Sequence, residues 1–299
     1  MKELVVISGK GGAGKTSVTA SFAALADNAV LADCDVDAAD LHLVLTPEIK
    51  QRMPFTSGHE ARIRQSDCVA CGGCLAYCRY DAVRMEGAGA GDAVFTIDPA
   101  LCEGCGVCVR FCPVQAIDFP ECLCGEWYVS ETRHGPMVHA RLGIAAENSG
   151  KLVSLVRREA RNIAEARGSA LLLVDGPPGI GCPVIASITG ADMLLVVTEP
   201  SLSGAHDLER TLQLARHFKL PARVCVNKWD INPEMTETIA RMALAYDAPV
   251  AGKIPYDPTI TAAQLAGQSV LEYESGPAAQ AITELWENLW QTNLVKAAR

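Results

Sequence analysis

The sequence predicts an α/β fold in which a mostly parallel sheet is interrupted by a small, cysteine-rich α+β module. Three observations predict it. An apolar, β-branched run, Leu4-Val5-Val6-Ile7, passes through a glycine-rich stretch into a segment that can run as a helix. Further short apolar runs at 29–32, 171–174, 193–197 and 222–226 are separated by long connections that include helical patterns, as parallel strands with crossovers require. Between the first and second of these runs, a pattern of four cysteines occurs twice, 34 residues apart.

The first strand, 4–7, ends at Ser8. Then comes Gly9-Lys10-Gly11-Gly12-Ala13-Gly14-Lys15-Thr16, the spacing G-x-x-x-x-G-K-T between a strand and a helix. This is the pattern of a phosphate-binding loop. Glycines let the backbone close around phosphate oxygens with N–H groups turned inward, and the helix adds its positive N-terminal end. Lys15 would reach the β- and γ-phosphates of a nucleotide, and the Thr16 hydroxyl would ligate Mg²⁺. Gly9, Gly11, Gly12, Ala13, Gly14 and Ser17 complete the expected contacts. A tight glycine turn alone would not explain Lys15-Thr16.

Lys10 turns the motif into K-G-G-x-G-K-T, which resembles the deviant Walker A loop of the MinD/ParA ATPases. That superfamily also holds nitrogenase iron protein and the Mrp-type iron–sulfur carriers. The resemblance implies that Lys10 contacts the nucleotide of a partner subunit, so that the active form is an ATP-sandwiched homodimer. Strand 29–32 ends in Asp33-Cys34-Asp35. Acids at the carboxyl end of a strand beside the phosphate loop lie at the ligand crevice of a parallel sheet. The resemblance makes Asp35 the first-switch aspartate, which orients the attacking water and the Mg²⁺ shell; Asp33 reads as structural.

Residues 47–63, with Pro54 and Gly58, read as an irregular connector. Cys68-x-x-Cys71-x-x-Cys74-x-x-x-Cys78 then recurs as Cys102-x-x-Cys105-x-x-Cys108-x-x-x-Cys112-Pro113. This is the spacing of a bacterial two-cluster ferredoxin, in which the fourth cysteine of each run ligates the other cluster. Cys68, Cys71, Cys74 and Cys112 would hold one [4Fe–4S] cluster, and Cys102, Cys105, Cys108 and Cys78 the second. Structural zinc would want two separated pairs instead. Arg79 stands where proline is usual after the first run. Glycine-rich 86–91 joins the halves, 94–97 reads as a strand, and the insert closes near Pro120. Cys122-Leu123-Cys124 follows. Nitrogenase iron protein and the Mrp-type carriers bridge a cluster between subunits with two cysteines from each, so the pair is either such a site or two partly buried free thiols.

Residues 126–142 read as two strands around a turn at Gly135-Pro136, with His134 and His139 as satisfied polar residues, and 151–167 as a helix with a solvated charged face. The apolar strand 171–174 ends in Asp175, the Walker B position, where it would hold Mg²⁺ through water. Gly176-Pro177-Pro178-Gly179 resembles the second switch, with the Gly179 N–H facing the γ-phosphate. Cys182 and Cys225 read as packing. Asn227, after strand 222–226, is placed to read adenine by hydrogen bonds, and Pro255-Tyr256-Asp257 resembles the family's base-side loop. In the tail 277–295, Ile282, Leu285, Trp286, Leu289 and Trp290 form one apolar stripe, while Glu284 and Glu287 argue for packing on the sheet rather than on a membrane.

The net charge of −9 disfavours a nucleic-acid surface, and no apolar run approaches the roughly 20 residues of a membrane helix. Thirteen cysteines, mostly clustered and with no export signal, point to metal in a reducing cytoplasm. The expected organisation is a mostly parallel P-loop (deviant Walker A) sheet at 1–60 and 121–299, split by a ferredoxin-like α+β domain at 61–120. Lys10, Lys15, Asp35 and Asp175 are the expected catalytic residues, with ATP, Mg²⁺ and two [4Fe–4S] clusters as cofactors. The leading expectation is an ATPase homodimer that couples hydrolysis to electron transfer toward a redox partner. The alternatives are an Mrp-like carrier delivering a cluster to an acceptor protein, and a MinD/ParA-like positioning ATPase with structural or redox-sensing clusters.

Overall fold

The structure, a computed structural model, describes residues 1–87, 93–143 and 149–291. In chain order, strand β1 (Lys2–Ser8) is followed by α1 (Lys15–Leu25), β2 (Ala29–Asp33), α2 (Leu41–Leu45) and β3 (Glu48–His59). The cysteine-rich region holds β4 (Arg62–Ile63), α3 (Gly73–Tyr77), β5 (Val83–Glu86), β6 (Val94–Ile97), α4 (Val107–Arg110) and β7 (Ile117–Asp118). Then come β8 (Glu121–Thr132), β9 (Gly135–Leu142), α5 (Ser149–Arg167), β10 (Leu171–Pro178), α6 (Cys182–Ile188), β11 (Met193–Thr198), α7 (Leu202–His217) and β12 (Ala222–Asn227). The chain ends with α8 (Pro233–Ala245), β13 (Val250–Ile254), α9 (Thr259–Leu265), α10 (Val270–Tyr273) and α11 (Pro277–Gln291).

The chain divides into two compact units. The larger comprises Met1–Met53, Glu126–Leu142 and Ser149–Arg299 and carries the sheet, in the order β13-β12-β11-β1-β10-β2-β9-β8-β3. Neighbours from β13 to β9 run parallel. Central β1 is flanked by β10 and β11, so Val5, Val6 and Ile7 have no exposed surface. Fully buried parallel strands need continuous apolar runs, which is what these segments have. In α11, Ile282, Leu285 and Leu289 are buried in the core, and Trp286 lies with its ring 4.9 Å from that of Phe22 in α1. The expected extension of this helix to 295 lies outside the described residues. Among the described residues, no helix is long and apolar enough to cross a membrane.

The smaller unit comprises Pro54–Gly125 with Gly143, and its boundaries fall inside β3 and β8 rather than at 61 and 120. This corrects two readings: 48–59 is a twelve-residue strand, not a connector, and β8 begins at Glu121, before the expected 126. β3 lies at the sheet edge and is mostly exposed; only Met53, Phe55 and Ser57 alternate inward, too short a run to stand out, and an edge strand tolerates Pro54. Within the unit the sequence repeat is a structural one. Ile63 pairs with Ile117 and Val83 with Ile97, and adding 34 to one member of each pair gives a member of the other. Gly72 and Gly106, before α3 and α4, share φ near +70° (72 and 71). Ala70 and Gly104 (52° and 59°), and Asp81 and Gln115 (52° and 53°), match too. Gly104 alone needs glycine for space, because a Cβ there would fall 2.3 Å from the His59 carbonyl oxygen. The joining segment 88–91 lies outside the described residues.

Candidate functional site

β1 delivers the glycine loop to the carboxyl end of the sheet, between β10 and β11. Gly12 and Gly14 take φ of +78° and +95°, a region open to glycine. Gly14 precedes α1 without a side-chain cap, so the first N–H groups of the helix stay available to an anion. A cavity of about 600 Å³ opens here, within the usual range for a small-molecule site. Gly14, Thr16, Asp35, Asn227, Pro255 and Tyr256 are among its lining residues.

Of the expected catalytic residues, Lys15 and Asp35 bond to each other and Asp175 bonds to Thr16. Lys15 Nζ lies 2.6 Å from Asp35 Oδ2, both nearly buried. Burial pulls the Lys15 ammonium down, but Asp175 and Asp35 outweigh it and hold its pKa above the ordinary value. The Thr16 hydroxyl donates to Asp175 Oδ2 at 2.8 Å, and Thr19 Oγ1 lies 3.1 Å from Asp175 Oδ1. Burial raises the Asp175 pKa, with Lys15 and the Thr16 hydroxyl opposing. Burial, then Asp175, push Asp33 well up; its Oδ1 accepts the Asp35 N–H, and its buried Oδ2 has no partner among the described residues.

Other expected contacts are engaged elsewhere. Lys10 Nζ lies 2.5 Å from Glu199 Oε1 and 3.2 Å from Ser203 Oγ. The Gly179 N–H donates to the Ser8 carbonyl at 2.9 Å, so here it does not face a γ-phosphate position. The Asn227 Nδ2 donates to the Ala13 carbonyl at 3.0 Å, and its Oδ1 accepts the Lys228 N–H at 3.0 Å. Asn227 thus lines the cavity, but its amide ties the phosphate loop to β12 instead of presenting a free edge to a base. Thr19 and Glu199 escaped the sequence reading. Thr19 sits three residues after Thr16 on α1, a spacing that shares a helix face and marks it. Glu199 is recognisable only once β11 is known to flank β1.

In the smaller unit, one cavity is lined by Cys68, Cys71, Cys74 and Cys112, and a second by Cys78, Cys102, Cys105 and Cys108. The chain therefore brings together both sets of four that the spacing predicts, each completed from the other run. The Ala116 N–H donates to Cys112 Sγ at 3.3 Å. Among the described residues, no three His, Cys, Asp or Glu side chains close on a point as one metal ion needs. Four thiols line each cavity, and thiolates in fours are the donor chemistry that an iron–sulfur cluster takes.

Cys122 and Cys124 lie on β8; Cys124 is 4% exposed and donates to the Ser57 carbonyl at 3.0 Å. Burial, then the Cys124 thiol, raise the Cys122 pKa. Cys225 is buried, its thiol pushed up to about 12 by desolvation. Cys182 departs from the packing expectation: it is exposed, because it stands at the first position of α6, beyond the last strand residue of β10.

A model of the CobQ/CobB/MinD/ParA nucleotide-binding domain matches residues 4–270. An uncharacterised protein of Methanocaldococcus jannaschii is 31% identical over 291 residues, covering 96% of each chain. An uncharacterised ATP-binding protein of the same organism is 30% identical over 122 residues, 38% of this chain and 44% of its own. Among solved structures, the septum site-determining protein MinD complexed with Mg-ADP, from Pyrococcus horikoshii OT3, superposes with a TM-score of 0.60. It is 17% identical, and the match covers 100% of this chain and 98% of that one, a likeness of fold alone.

Proposed function

The chain belongs to the CobQ/CobB/MinD/ParA nucleotide-binding family, and from that premise we propose that it is a Mg²⁺-dependent ATPase whose nucleotide-switched homodimer gates electron transfer through two [4Fe–4S] clusters. The observation that carries the second half is the grouping of eight cysteines into two sets of four. Cys68, Cys71, Cys74 and Cys112 would hold one cluster, and Cys102, Cys105, Cys108 and Cys78 the other; each would supply a one-electron carrier of low potential. Thr16 and Asp175 would hold Mg²⁺, which neutralises phosphate charge.

The chain's own residues then act by exchanging partners. Lys15 leaves Asp35 for the β- and γ-phosphate oxygens, which frees the Asp35 carboxylate to orient the attacking water. The Gly179 N–H leaves Ser8 for the γ-phosphate, and Lys10 leaves Glu199 for the nucleotide of the second subunit. The N–H groups at the start of α1, with Gly12 and Gly14 folded around them, hold the remaining phosphate charge.

The family comparisons favour a second reading more directly than the first. A fold neighbour is a septum site-determining protein, which supports a positioning ATPase in which the cysteine sets are structural or redox-sensing. A carrier role, with Cys122 and Cys124 as the labile site, draws less support because Cys124 is buried. Anaerobic protein should carry close to eight irons per chain, and cluster potentials should shift between ADP- and ATP-bound forms. Stoichiometric zinc without iron would overturn the cluster assignment. Full iron with potentials indifferent to nucleotide, together with ATP-dependent recruitment to a surface, would establish the positioning reading.

A further inference from the structure

The repeat in the smaller unit leaves one surface feature that the cysteine sets do not absorb. Tyr77 and Phe111 stand 34 residues apart, each immediately before the fourth cysteine of its run. Their rings stack with centroids 4.8 Å apart and planes 29° apart. Tyr77 also lines the cavity of Cys78, Cys102, Cys105 and Cys108. A stacked pair of this kind ordinarily belongs in a core, yet Tyr77 is 50% and Phe111 54% exposed. Tyr80 and Val114, again 34 apart, are exposed beside them in sequence. Contiguous aromatic surface left in water marks a place that another molecule covers.

The charges around the rings say what kind of molecule. Pro54–Gly125 contains five arginines and no lysine. Arg62 pairs with Glu60, Arg64 with Asp67 and Asp118, and Arg84 with Asp98. The two left, Arg79 and Arg110, are exposed and have no ion pair among the described residues. Each lies within two residues of a ring, and each breaks the repeat: Arg79 stands opposite Pro113, and Arg110 opposite Ala76. Asp81 and Glu103 lie in the adjoining loops, and neither bridges to either arginine. In a segment with nine Asp and Glu, in a chain of net charge −9, two uncompensated cations flanking an exposed aromatic pair are a local exception.

We propose that Tyr77, Phe111, Arg79 and Arg110 form the docking surface for a one-electron carrier protein whose own redox centre is rimmed by acidic residues. This rests on the cluster reading above. Aromatic residues and arginine are the side chains that carry interface energy, the rings as desolvated centre and the guanidiniums as carboxylate forks. Two arginines are too few for an anionic membrane surface, which is held by polybasic runs. The chain's overall negative charge opposes an acidic partner at long range. Screening confines that repulsion to about 8 Å at physiological ionic strength, so the charges at the contact decide.

The test uses anaerobic protein with its iron content measured first, so that a failure of the cluster reading is seen before docking is assayed. Fluorescence anisotropy then compares a labelled acidic flavodoxin with a labelled basic cytochrome c. Flavodoxin should bind better, with affinity falling as salt rises. In Arg79→Glu/Arg110→Glu, with iron unchanged, flavodoxin affinity should drop about tenfold or more and cytochrome c affinity should rise. Tyr77→Ala/Phe111→Ala should weaken flavodoxin without changing the salt slope. Equal binding of the two probes to fully loaded protein, or a charge reversal that leaves flavodoxin affinity unchanged, would overturn the proposal. A charge reversal that instead abolishes self-association, seen by sedimentation, would also overturn it and assign the face to a second copy of the chain.

Discussion

Asn227 offers a sharp test of how the phosphate loop is held, because its amide is bonded at both ends. The residue is 5% exposed; its Nδ2 donates to the Ala13 carbonyl and its Oδ1 accepts from Lys228, both at 3.0 Å. Asn227→Ala leaves that carbonyl and that N–H without partners, and Ala13 is itself only 2% exposed. An unpaired buried polar group costs about 1–3 kcal/mol; the Ala13 carbonyl bears that cost and the part-buried Lys228 N–H a smaller one. Asn227→Asp keeps the acceptor for Lys228 but sets a carboxylate oxygen against the Ala13 carbonyl, turning a bond into a repulsion. Gly14 belongs to the same arrangement, since a Cβ there would fall 2.4 Å from Asn227 Nδ2. Both variants should therefore be destabilised without any nucleotide present, and amide exchange at Ala13–Lys15 should quicken. The assay is urea unfolding and hydrogen exchange of the nucleotide-free protein, set beside ATP affinity. If nucleotide-free stability and loop exchange are unchanged while ATP affinity falls, Asn227 acts only on the base and the loop argument fails.

Other outcomes follow from the same contacts. The Thr19 hydroxyl shares one proton between the Lys15 carbonyl at 2.9 Å and Asp175 Oδ1 at 3.1 Å; Thr19→Val removes what it gives Asp175, and since a bond to a charged acceptor is worth at most about 1.5–3 kcal/mol, half-saturation by Mg²⁺ in a fluorescent-nucleotide titration should rise by up to roughly tenfold. Mg²⁺-free nucleotide affinity should hold, and Thr19→Ser should restore Mg²⁺ response; equal loss of both would mean that the helix, not Asp175, was disturbed. Glu199→Gln removes the charge that holds Lys10, so sedimentation should show dimers at lower ATP concentration than in the parent protein, and an unchanged threshold would dismiss Glu199 as a restraint. His139 is held neutral by burial, then by His42, with a folded pKa of about 4 against an ordinary 6.5. The unfolded chain binds the extra proton between those values, so stability is full above about pH 6.5 and falls as pH drops toward 4. Urea midpoints at pH 7 and pH 5 should lie closer together in His139→Gln, which keeps an amide near Ser130 Oγ; an unaltered gap would clear His139 of the effect.

The parts of the molecule legible in the sequence are those where chemistry fixes residue identity at a fixed spacing. Lys15 and Thr16 must follow a glycine loop, Asp175 must close an apolar strand, and four thiols must recur in step, so each could be numbered in advance. β3 could not: nine of its twelve residues are exposed, only Met53, Phe55 and Ser57 alternate inward, and Pro54 and Gly58 sit among them. Its membership in the sheet comes from pairing at an edge, which leaves only a short period in the sequence. Cys182 misled because a thiol beside an apolar strand usually packs inward, whereas the turn at Gly181 carries it out to the helix start. Glu199 was invisible for another reason. Its meaning depends on strand order, β11 beside β1, and order is a long-range property that no local spacing encodes.

What the sequence could not convey at all is that the donors of the site have partners within the chain. Lys15 is paired with Asp35, Lys10 with Glu199, the Gly179 N–H with Ser8 and the Asn227 amide with Ala13. A phosphate arriving here therefore does not meet bare donors; it exchanges for partners of comparable strength. The net gain from each exchange is small, because a bond of similar kind is broken for every bond formed. The free energy of binding then comes chiefly from the N–H groups at the start of α1, which have no side-chain cap to give up. On the proposed function the exchanges would serve a different purpose: each would free a residue, Asp35, Glu199 or Ser8, from its partner in the chain. On the proposed function, only a ligand that reaches both Lys15 and the Gly179 N–H would release Asp35 and Ser8 together, and a diphosphate that stops short of the γ-position would leave the Gly179–Ser8 bond intact. If the chain is the nucleotide switch proposed above, near-neutral local exchanges of this kind would still distinguish ATP from ADP sharply.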